Sequence, residues 1–207
     1  MPDVLFPSDN ADGVPLLDLD RQAHSIEIPL RAWGSYRRST WQPGGVHFYV
    51  DDYRFTALWR KPDNIIEVQP LYVCEPNFTM GDQMPRALAC AAVYRKRWLA
   101  RYWQSLGLPI CVDLFVPERW AELNLQGVPR GWSVYSTRGT ETTVSDLDFE
   151  LERAIERAGR ERITFVVIGG SKRVSAWCQR FAGNGAIHVD YGASKFIHGR
   201  NGHGQER

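Results

Sequence analysis

The chain has almost no net charge, with 25 Lys and Arg against 24 Asp and Glu in 207 residues. No global field therefore draws it onto DNA or an anionic membrane, and any such affinity has to come from a local patch. It has no C-x-x-C pair: Cys74, Cys90, Cys111 and Cys178 stand singly in apolar segments. That excludes a zinc ribbon or a dithiol redox motif and leaves the thiols as small core hydrophobes. No apolar run is long enough to span a bilayer, and no basic-then-apolar leader opens the chain. The expectation is a soluble, cytoplasmic protein with no membrane partner. His24, His47, His188, His198 and His203 make no i,i+4 ligand pair, and there is neither a phosphate-loop nor a dinucleotide-binding glycine pattern. No nucleophile elbow marks a Ser-His-Asp or Cys-His site.

A local absence is more informative. Between Asp82 and Asp113 there is no acidic residue, yet five cations and four bulky aromatics lie there. They sit in a helical run from Met84 to Leu106, with Pro85 suited to its first turn and Gly107 to its stop. At 100° per residue, Leu88, Ala91, Ala92, Leu99, Tyr102, Trp103 and Leu106 form one stripe that should pack inward. On this reading Arg86, Arg97 and Arg101 face solvent, while Arg95 projects from the stripe and needs a carboxylate partner. Lys96 joins the outward cations as a candidate nucleic-acid contact.

The first 20 residues hold five Asp and three Pro and no cation. Residues 1–25 read as an acidic, poorly structured arm, residues 26–193 as a single domain and residues 194–207 as a flexible basic tail. Within the domain, short β-rich runs alternate with helices. Candidate strands are 47–50, 71–74, 110–116, 132–135, 163–168 and 186–190, and the clearest amphipathic helix is 146–158. About six βα units on a mainly parallel sheet are expected, forming either a reduced or distorted TIM-like barrel or an open doubly wound sheet. A complete barrel takes about 250 residues, so the chain is short for one.

Either architecture collects ligands at the carboxyl ends of its strands. That rule brings Asp51, Asp52, Glu75 and Asp113 together as a candidate catalytic carboxylate cluster, with Mg²⁺ or Mn²⁺ as the candidate cofactor. It also places Ser171, Lys172 and Arg173 after a Gly169-Gly170 turn that opens a helix. Ser171 can cap that helix, and the turn can alternatively hold an anion.

A set of short motifs resembles a known family. It comprises His47-Phe-Tyr-Val-Asp-Asp-Tyr-Arg-Phe55 with Trp59 and Pro62, Pro76-Asn-Phe78, Met84-Pro85, Tyr94-Arg-Lys-Arg-Trp98, Tyr102-Trp-Gln104 with Gly107, Gly127-Val-Pro129, Ser136-Thr137 and Tyr191-Gly192. Together they resemble the phage-, plasmid- and integrative-element-associated domain of unknown function numbered 4417, over roughly residues 30–192. Where that family has Pro-Asp-Phe, this chain has Asn77. The resemblance implies a mobile-element setting and no particular chemistry.

Three readings follow. The first is a protein that associates with DNA, helping replication, recombination or maintenance, through Arg86, Lys96, Arg97 and Arg101, with Lys172, Arg173 and the basic tail, while the inward Arg95 belongs with the second. The second is a metal- or phosphate-binding enzyme of nuclease or phosphoryl-transfer type, with its site at the strand ends. The third is a non-catalytic module that binds a host or element-encoded protein, its acidic arm folded over the basic helix.

Overall fold

A computed structural model describes residues 4–35, 43–140 and 144–190. Seven strands form one sheet in the order of the chain: β1 (Leu30–Ala32), β2 (Gly45–His47), β3 (Tyr72–Cys74), β4 (Ile110–Asp113), β5 (Val134–Arg138), β6 (Thr164–Ile168) and β7 (Ala186–Val189). Every neighbouring pair is parallel. A doubly wound sheet would reverse its strand order partway. Here the order never reverses, so the fold is a singly wound, TIM-like half-barrel. The strand that sequence reading missed is β1, whose Leu30-Arg-Ala32 offers one fully buried position and no apolar run.

Successive side chains of a strand point to opposite faces, and the strands divide between two cores accordingly. Val46, Val73, Val112, Tyr135, Phe165 and Val167 pack outward against the helices α1 (Arg86–Ser105), α3 (Val144–Ala158) and α4 (Lys172–Arg180). Tyr72, Cys74, Cys111, Val134, Val166, Ile168 and Val189 form the helix-free inner face. Cys74, Cys111 and Cys178 are buried free thiols, as a core role requires, and Cys90 is half-buried.

The N-terminal segment corrects the expectation of a poorly structured arm. Val14 and Leu17 are buried, and Leu17 N donates to Gly127 O at 2.8 Å. Gln104 on α1 exchanges two hydrogen bonds with the Asp18 backbone, both at 2.9 Å, and Trp98 Nε1 donates to Val4 O at 2.8 Å. Farther on, Ala23 N donates to Ile110 O at 2.8 Å, so this segment closes one end of the inner face. Asp9, Asp12 and Asp20 conceal this because they are exposed on a segment whose Val14 and Leu17 are buried. Gly127 has φ +70°, and a Cβ there would lie 2.1 Å from Pro15 O. Only glycine lets the two backbones pass this closely. The basic tail expected at 194–207 lies outside the described residues, as does Tyr191-Gly192.

Candidate functional site

Helix α1 is rotated from the face that its apolar residues alone suggest. Its buried stripe is Ala89, Val93, Lys96, Arg97, Ala100, Trp103 and Gln104, with Trp98 and Leu99 beside it. Leu88 is 58 % exposed and Arg95 is exposed, with its guanidinium 5.9 Å from the Trp59 ring. Thus Arg95 is not the inward cation, and Lys96 and Arg97 do not face solvent. The apolar-only stripe fails because two cations belong to the buried face, so leaving them out turns the face by about one residue.

Both buried cations meet carboxylates at the strand ends. Lys96 Nζ lies 2.7 Å from Asp113 Oδ2 and also donates to Asp113 O at 3.2 Å. Arg97 pairs with Glu75 through Nη1 and donates from Nε and Nη2 to Gln126 O and Asn124 O. Tyr49 donates its hydroxyl to Asp113 Oδ1 at 2.8 Å, with Ser136 Oγ 3.1 Å from that hydroxyl. Burial raises the Tyr49 phenol well above its usual value, and Asp113 adds to this. Burial also raises the Glu75 carboxyl, while Arg97 and Lys96 oppose that rise. We take the Glu75–Arg97 pair as ionised, since a guanidinium does not give up its proton. Asn77 donates its amide to Asp113 Oδ2 at 3.1 Å. An amide suits this position, since a carboxylate there would face Asp113 with like charge.

The expected carboxylate cluster is therefore not one cluster. Glu75 and Asp113 are held in ion pairs. Asp52 accepts from Thr79 N and Thr79 Oγ1, and Asp51 is exposed on a cavity wall. Among the described residues no group of three or more His, Cys, Asp and Glu is placed to hold a metal ion. Ser171 caps α4 by accepting from Arg173 N at 3.2 Å, and Lys172 and Arg173 are exposed on the helix's first turn.

The cavity itself is substantial. It encloses about 810 Å³ at the carboxyl ends of β2 to β5 and the start of α3. Among the described residues its wall holds five acids (Asp51, Asp82, Glu118, Asp146, Glu150) and two bases (Arg54, Arg138), with Tyr49, Phe115 and Phe149 as its aromatic lining. The residue that sequence reading missed is Glu150, on α3. It is only 6 % exposed, and burial pushes its carboxyl well above the usual range. Thr137 lies alongside and favours the ionised form, yet neither Thr137 Oγ1 nor Glu150 Oε2 makes a hydrogen bond of ordinary geometry. A second cavity of about 10 Å³ touches Glu150, Asn124 and Arg153, and Asn124 Oδ1 and Arg153 Nε are likewise unpaired. The only sequence signal for Glu150 was its place on the amphipathic helix. Three residues after Leu147 and one before Leu151, it falls on the apolar stripe, where a carboxylate is out of pattern.

A TIM-like half-barrel with a polar cavity at its strand ends defines the class. Residues 6–169 match the domain of unknown function DUF4417, and the chain belongs to that family. It is 31 % identical over 171 residues to the Gene 1 protein of Mycobacterium phage D29, covering 77 % of this chain and 58 % of that protein. It is 31 % identical over 161 residues to the Gene 1 protein of Mycobacterium phage L5, covering 72 % of this chain and 66 % of that one. The chain thus spans less than two thirds of the length of these phage relatives. No solved structure matches it. Among the described residues no helix is long and apolar enough to cross a membrane.

Proposed function

We propose that this phage-associated protein binds a polar small molecule in the cavity at the carboxyl ends of β2 to β5. The observation that carries this reading is Glu150: a buried carboxyl with a displaced pKa and an unpaired oxygen, on the wall of a cavity of ligand size. Structural carboxylates in the same fold, Glu75 and Asp113, each have a cation. A buried carboxyl without one is costly to keep, so its place on the cavity wall points to use. The position agrees with the enzyme reading of the sequence, but rests on different residues from its four carboxylates.

The test is a thermal-shift screen of the whole chain against amines, amino acids, sugars and nucleotides. A ligand present at about 100 times its Kd stabilises by about 2.7 kcal/mol, which raises Tm by several degrees. At least one class should raise Tm in the wild type and not in Ser145→Trp, which fills the cavity from an exposed wall position. No shift from any class, or equal shifts in both proteins, removes the reading.

Association with DNA through α1 has less beneath it. Lys96 and Arg97 are buried, Arg86 pairs with Asp12 at 3.3 Å, and the Arg101 guanidinium lies 5.2 Å from the Phe6 ring. Arg95, Lys172 and Arg173 remain as exposed cations for phosphate, and contacts of that kind weaken steeply with salt. A salt titration with single- and double-stranded DNA checks it.

A further inference from the structure

We infer that the cavity's ligand carries a protonated amine or guanidinium, and that this cation pairs with Glu150. The inference rests on the binding reading above and names the ligand class. Among the described residues, five carboxyl side chains against two guanidinium groups on one wall make the cavity a poor host for an anion. An acidic wall alone would not identify a site. Glu150 adds a second, independent observation: a carboxyl more than nine-tenths buried on that wall, whose Oε2 makes no hydrogen bond of ordinary geometry among the described residues. An N–H donor that also carries charge satisfies both deficits at once.

The alternatives fit less well. A bare divalent ion needs several carboxylates gathered at short range, and among the described residues no such group exists. An organic cation can instead spread its donors over dispersed carboxylates. It can also rest on the half-buried Phe115 ring.

Binding should then release a proton. In the free protein burial favours the neutral form of Glu150, with Asp113 on β4 and Asp146 one turn earlier on α3 acting the same way. Lys96 on α1 and Thr137 on β5 favour ionisation. Arg138 at the end of β5 and Arg153 on α3 are the further cations sharing a cavity wall with it. A ligand cation at Glu150 adds to the ionising side. The carboxyl proton leaves to solvent, and the carboxylate keeps the ligand's N–H donors.

The experiment is titration calorimetry on the full chain with cadaverine and agmatine as probes, with AMP as the anionic control, in two buffers of different ionisation enthalpy. An amine should bind with a buffer-dependent enthalpy that reports proton release. Glu150→Gln should weaken it at least tenfold and abolish the release. Asp146→Asn, at an exposed position, should weaken it by a smaller factor, and it covers the case in which Glu150→Gln does not fold. If neither amine binds, if AMP binds more tightly than both, or if the variant examined binds amines as the wild type does, the inference is overturned. A nucleotide or sugar that raises Tm in the screen while both amines fail leaves the cavity reading standing and removes this one alone.

Discussion

Two kinds of buried carboxylate lie in this half-barrel, Glu75 and Asp113 at the ends of β3 and β4 and Glu150 on α3. Glu75 and Asp113 each have their own cation from α1, and backbone or amide donors fill more of their lone pairs. Among the described residues Glu150, on α3, has no ion-pair partner, and its Oε2 is unpaired. The difference teaches that burial of a charged residue does not mark a site; what answers the charge does. A fully answered carboxylate holds the fold in register, and an unanswered one beside a cavity waits for something.

The largest effects should come from the answered pairs. Lys96→Met leaves Asp113 buried without its cation, and Arg97→Met does the same to Glu75. Each should cost about 3–5 kcal/mol in a chemical denaturation experiment. The double variant Lys96→Met with Asp113→Leu should recover part of that loss, because removing both charges removes the uncompensated one. A cost below about 1 kcal/mol for Lys96→Met would mean that the pair is not structural, and the contrast with Glu150 would collapse.

Next in size is the N-terminal segment. Leu17→Ala removes a side chain 2 % exposed and should cost about 2–4 kcal/mol. Gly127→Ala should also destabilise, since its Cβ would meet Pro15 O and its φ is +70°. Unchanged stability in both would return residues 4–25 to the status of an arm.

How far the sequence could be read follows from the same residues. The parallel βα rhythm was legible because Ile163 to Ile168 and the Leu147, Leu151, Ile155 spacing are apolar and periodic. The unreversed order of the sheet was not, since periodicity says nothing of which strands become neighbours. The orientation of α1 was misread because Lys96 and Arg97 lie on its buried face, and a pattern of apolar residues cannot see a buried cation. Asp51, Asp52, Glu75 and Asp113 were gathered by a correct rule about strand ends. That rule gives the rim and not the partner, so it could not separate Asp113, held by Lys96, from Glu150, which lies on a helix.

A smaller effect separates the two carboxylate kinds by pH. Glu150 has its folded pKa raised, so its contribution to stability is full below the unfolded value near 4.5 and is lost as pH rises through the folded value. Glu150→Gln keeps the shape of the neutral acid and cannot ionise. Its Tm should match the wild type near pH 4 and exceed it increasingly towards pH 8. A variant less stable than the wild type at pH 8 would show that the charged carboxylate already has a partner in the protein, which would place Glu150 with Glu75.

The smallest effect belongs to the exposed cations of the helix that carries Lys96. The Arg86 side chain is 65 % exposed and meets Asp12 at 3.3 Å in water. Solvent screens that attraction, and holding two long side chains in one geometry offsets much of it. Arg86→Ala should therefore change stability by less than about 1 kcal/mol at low salt, and by nothing measurable in high salt. Lys96→Met, ten residues along the same helix, should keep most of its cost in high salt because ions do not reach a side chain 2 % exposed. Denaturation of both variants at two ionic strengths measures this. A salt-sensitive Lys96 would show that the strand-end ion pairs open to solvent, and the division between answered and unanswered carboxylates would then be one of degree.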